Sequence, residues 1–102
     1  MLIGVLTVQI NLHAVFSLKD KRKIIKSLIE RLRGRFNVSV SEVAAQDSKQ
    51  LAVIGISVVT TDSRFLNEQL DKIVSFIVND ARFVTGRIER ETFTSDDDWP
   101  LY

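Results

Sequence analysis

The order in which two hydrophobic periodicities follow one another constrains this chain more than any other feature. From Leu2 to Leu12, Leu2, Leu6, Val8, Ile10 and Leu12 share one face while Thr7, Gln9 and Asn11 take the other. A period of two with β-branched residues predicts a strand. Ser17 then stands as an N-cap with Asp20 three residues on, and the period changes to 3.6. Leu18, Ile25, Leu28, Ile29 and Leu32 fall on one side of a helix over about 18–33, with Ile24 at its margin and Gly34 as its expected terminator. Period two returns at Phe36, Val38 and Val40, and again over Leu51 to Thr60, with a polar turn over 44–50 between them. The latter run is apolar on both faces, which suits a central strand. Thr61-Asp62 opens a second helix to about Asn79 on the stripe Leu66, Leu70, Ile73 and Ile77. Phe83 to Phe93 closes the series as a strand crowded by Arg87, Glu89, Arg90 and Glu91, and such charge suits a sheet edge.

The order β-α-β-β-α-β is the split βαβ arrangement. Right-handed crossovers place both helices on one face of a four-stranded antiparallel sheet, an α+β ferredoxin-like sandwich. At 102 residues, 45% of them apolar and 26% charged, the chain is expected to form one domain over 1–93. Residues 94–102 (Thr-Ser-Asp-Asp-Asp-Trp-Pro-Leu-Tyr) read as an acidic, flexible tail. With no cysteine there is no disulfide, thiolate nucleophile or cysteine-held metal. The first residues lack the pattern of a signal peptide and no apolar run is long enough to span a bilayer, so a cytoplasmic protein without membrane contact is expected.

Net charge is only +1, yet residues 19–35 carry eight cations against Asp20 and Glu30, a local +6 that leaves −5 for the remainder. On the helical wheel Lys19, Arg22, Lys23, Lys26 and Arg33 form one flank, interrupted by Glu30, while Arg31 and Arg35 lie across the apolar stripe. At ~1.5 Å per residue these five cations extend over about two dozen ångströms, a length that can track a phosphate backbone. The plainer reading is a solvated face stabilised by Lys26–Glu30 and Glu30–Arg33 pairs.

Residues 17–43 carry a more specific signal. Ser-Leu-Lys-Asp-Lys-Arg, a basic amphipathic helix and then Arg-Phe-Asn-Val-Ser-Val-Ser-Glu-Val resemble the YlxP-like family of small bacterial proteins. Ile3-Gly4-Val5 and Gln46-Asp47 fit the same pattern, and the similarity covers roughly residues 2–93. The resemblance implies a ferredoxin-like fold with no characterised activity. Family genes that neighbour those of transcription termination, translation initiation and ribosome maturation point toward RNA. His13 stands where proline is common in that family, Phe16 where a histidine often precedes the serine, and Lys49 in place of a frequent aromatic. No role of that histidine or that aromatic is therefore carried over.

Other chemistry is sparse. His13 is the single histidine, so neither a Ser-His-Asp triad without it nor a two-histidine metal site can be built in one chain. Glu42 and Asp47 flank the hairpin turn, either as an acid–base pair or as its solvating charges. No glycine-rich nucleotide loop occurs, and no cofactor or metal is expected. The sheet face away from the helices should carry Ile3, Val5, Val43, Val53 and Val59, without stacking aromatics on its central strands. An apolar face of that kind suits a homodimer. Two readings follow: a non-catalytic, RNA- or ribosome-associated accessory protein that meets phosphates through its first helix, or a homodimeric interaction module using the open sheet face.

Overall fold

A computed structural model describes residues 1–95, so most of the expected acidic tail lies outside the described residues. The elements are β1 (Leu2–Asn11), α1 (Leu18–Arg35), β2 (Ser39–Ala44), β3 (Leu51–Thr60), α2 (Ser63–Val78) and β4 (Val84–Thr94). They form one antiparallel sheet in the order β2-β3-β1-β4. This is the ferredoxin-like α+β architecture, with β3 and β1 central and the charged β4 at an edge. No helix among the described residues is long and apolar enough to cross a membrane.

Both helices start where short polar side chains replace the missing backbone partners of a first turn. Ser17 accepts from the Asp20 amide at 3.1 Å and Asp62 from the Phe65 amide at 3.1 Å. The helices bury Ile25, Leu28 and Leu32 of α1 and Leu66, Leu70, Ile73 and Ile77 of α2 against Leu6, Val8, Ile10, Ala52, Ile54, Ile56 and Val58 of the central strands. α2 sits close because β1 has a glycine beneath it. A Cβ on Gly4 would come within 2.7 Å of a Leu66 methyl and 2.9 Å of a Leu70 methyl. At the edge, Arg90 of β4 reaches Asp71 at 2.6 Å and the Asn67 carbonyl at 3.2 Å, fastening the last strand to α2.

Two boundaries differ from the sequence reading. Gly34 does not end α1; the helix runs to Arg35 and Phe36 caps it, its amide donating to Leu32 at 2.9 Å. Phe36 is buried edge-on to Phe76, with centroids 5.9 Å apart. The apolar anchor therefore fixes where the helix stops, and no glycine takes a positive φ. Phe36 and Val38 also precede β2, which pairs only from Ser39 onward. Between them the chain bends, the Val38 amide donating to the Phe36 carbonyl at 3.1 Å, so their alternation has no ladder partner.

Candidate nucleic-acid interface

Capping at Ser17 fixes the rotational phase of α1, and the core stripe then decides which side chains face water. Lys19, Arg22, Lys23, Lys26 and Arg33 are all exposed. None of the ion pairs between described residues involves any of them. The Lys26–Glu30 and Glu30–Arg33 pairs of the plainer reading therefore do not form, although Glu30 stands exposed beside them. Arg33 differs from the other four. Its Nη2 donates to the Val40 carbonyl at 2.9 Å and so ties the end of α1 to the edge strand β2. Lys19, Arg22, Lys23 and Lys26 thus form a row of cations over two turns, open to solvent and without a carboxylate partner among the described residues.

Lys21, in the midst of that row, does something else. Its position aligns with Ile25, Leu28 and Leu32, and these four are the buried residues of α1. Burying a lysine is tolerable only if its apolar stem packs and its ammonium finds partners. Nζ lies 3.0 Å from Glu42 Oε2 and donates to the Ala45 carbonyl at 2.6 Å, with the Gln46 carbonyl at 3.5 Å. Ala45 presents that carbonyl from a left-handed conformation (φ 62°) and also accepts from the Ser48 amide at 3.0 Å. Glu42 is thereby a structural counter-ion and Asp47 an exposed residue of the turn, so the two do not form an acid–base pair. The signal that could have found Lys21 was its spacing, because i, i+4, i+7 and i+11 from it give the whole inner face.

On the open sheet face the register sets Ile3, Val5 and Val59 in adjacent rows, while Val53 pairs with Gln9 toward the other end of the sheet. Ile3 pairs with Val59 on one side and Phe93 on the other, so Phe93, Ile3 and Val59 form one cross-strand row. The next row holds Glu91, Val5, Ser57 and Ser39. Val43 is the extra residue of a bulge between Glu42 and Ala44, and its side chain lies over Gly55. Val43, Val59 and Phe93 are 53%, 58% and 50% exposed, a genuine apolar surface broken by serines and glutamates. Phe93 was missed as part of this face because its orientation depends on the β1–β4 register. His13 is exposed, and among the described residues no three acidic or histidine side chains group to hold a metal.

Comparison with known proteins points to one family and adds no activity. Residues 3–90 match the family described as "Protein of unknown function (DUF503)". The chain is also similar to the "Uncharacterized protein YlxP" of Bacillus subtilis (strain 168), with 36% identity over 61 residues, 60% of this chain. That match spans 66% of the relative's length.

Proposed function

The chain belongs to the DUF503 family of proteins of unknown function, and from that premise we propose that it is a non-catalytic cytoplasmic accessory protein that binds RNA or the ribosome. Binding would run through phosphates held by Lys19, Arg22, Lys23, Lys26 and Arg33. The observation that carries this reading is the row of solvent-facing cations with no carboxylate partner among the described residues. A cation already paired releases little on meeting a phosphate, whereas an unpaired one displaces a condensed counterion from the nucleic acid. Phosphate contacts carry no sequence information, and the central strands offer no aromatic platform on the open face, so binding should be indifferent to sequence. Fluorescence anisotropy with single-stranded RNA tests it. Four or five contacts predict a slope of log affinity against log salt of about −3, at roughly −0.7 per phosphate. Replacing Lys19, Lys23 and Lys26 together with Glu should abolish binding. A slope near zero, or a triple variant that binds like the parent, defeats the reading.

A second reading rests on the half-exposed Val43, Val59 and Phe93 beside Ile3, Val5 and Val53. Two copies could bury these faces against each other about a two-fold axis. Light scattering at micromolar concentration should then give twice the chain mass, and Val59→Glu should halve it. A monomer throughout would remove this reading and leave the first intact.

A further inference from the structure

The flank of α1 opposite the proposed RNA face closes one wall of a groove. Its other walls are the C-terminal half of α2 and the connection to β4. The volume is about 990 Å³, ample for a small metabolite, and Arg31, Arg35, Phe36, Lys72, Phe76 and Arg82 are among its lining. We propose that this groove binds a nucleoside monophosphate, its phosphate held by Arg31 and Lys72 and its base stacked on the Arg35 guanidinium.

Charge is the first argument. Asp80 is the acid in the lining, and it is already engaged, with Arg82 donating to it from Nε at 2.9 Å and Nη2 at 2.6 Å. These bonds hold the Asp80 carboxyl below its ordinary range, so it stays ionised against Arg82. Arg82 is fixed at its other end by Ser27 at 2.9 Å. The nearby acids of α2 are directed elsewhere, Glu68 to Arg64 and Asp71 to Arg90. Arg35 and Lys72 therefore face the groove with no acid of their own among the described residues, while Arg31, whose charge helps to keep Asp80 ionised, forms no ion pair with it. Helix dipoles do not account for all three. A cation favoured by a helix C-terminus sits in its last turn, which covers Arg35 but not Lys72, more than a turn inside α2.

Geometry is the second argument. The Arg35 guanidinium lies 5.3 Å from the Phe76 ring centre and 5.9 Å from that of Phe36. A planar cation braced on aromatic rings keeps a free face, and bases stack well on such a guanidinium. Inorganic phosphate would use only the cations, whereas a nucleotide uses both parts of the site.

The test is titration of the full chain with AMP, adenosine or inorganic phosphate, followed by amide shifts in ¹H–¹⁵N spectra. AMP should move the resonances of residues 31–36 and 72–82, with adenosine and phosphate each about tenfold weaker or more. Arg35→Gln and Lys72→Gln should each weaken AMP by about tenfold, the scale of one lost charge-assisted contact. Lys72 is exposed and unpaired among the described residues, so its variant keeps the fold. The Lys19, Lys23 and Lys26 triple variant should bind AMP like the parent, which separates this site from the RNA face. In that triple background, a 5′-phosphorylated oligoribonucleotide binding more tightly than AMP would identify the ligand as a strand terminus; equal binding would identify a free nucleotide. Absence of shifts in the groove at millimolar AMP, equal affinity for phosphate and AMP, or unchanged affinity in both groove variants overturns the proposal.

Discussion

Lys21 and Lys23 stand two residues apart on one helix and live in opposite physical worlds. Lys23 and its neighbours Lys19, Arg22 and Lys26 project into water without ion pairs to described residues. Lys21 is 0% exposed, with Glu42 at 3.0 Å and two backbone carbonyls around its ammonium. The same residue type therefore does two jobs, and the hydrophobic phase of the helix assigns them. Charge on the outer side is free to meet a partner; charge on the inner side is committed to the fold.

The comparison breaks most visibly at Lys21. Removing one partner of a buried pair leaves the other uncompensated, and Lys21→Ala should lower unfolding free energy by about 3 kcal/mol, the low end for such losses. The low end applies because the Glu42 side chain is 18% exposed and can draw water. Lys21→Met combined with Glu42→Gln should recover at least half of that loss, since an apolar stem of similar length still fills the site. Urea denaturation of the two variants measures both. A smaller effect of opposite sign is expected in the last turn at the far end of the helix. Gly34 is helical, and a Cβ there would meet nothing within 4 Å. Gly34→Ala should therefore stabilise the chain by about 0.5–1 kcal/mol, largely by restricting the unfolded state. Smallest of all is the outer row. The Lys19, Lys23 and Lys26 triple variant that abolishes RNA binding should unfold within about 0.5 kcal/mol of the parent, as surface substitutions do. A large loss there would blur the distinction between the two sides.

Much of the fold was legible because local and global signals agree. The β3 bounds follow from its alternation, and Ser17 and Asp62 act as the caps their positions suggest. What stayed hidden depends on contacts between distant segments. Gly34 looked like a terminator, but Phe36 packing on Phe76 sets the end of α1. Lys21 entered the sequence reading only through the net charge of residues 19–35 and was given no place in the stripe it completes. The row of outer cations was read from the helical wheel and is found exposed. Arg31 and Arg35 were seen to leave that row, yet the groove they line needs Lys72, Phe76 and Arg82 from segments far along the chain. The bulge that sets Val43 over Gly55 has no counterpart in the alternation of β2.

Because the Lys21 ammonium is bonded to Ala45, the β2–β3 turn is wired to a helix 24 residues earlier in the chain. Fraying of that turn would strand a desolvated cation, so the turn cannot open alone. Helix and hairpin tip are thereby locked into one cooperative unit, and the loop, for all its exposure, inherits the resistance to opening of the core beneath it.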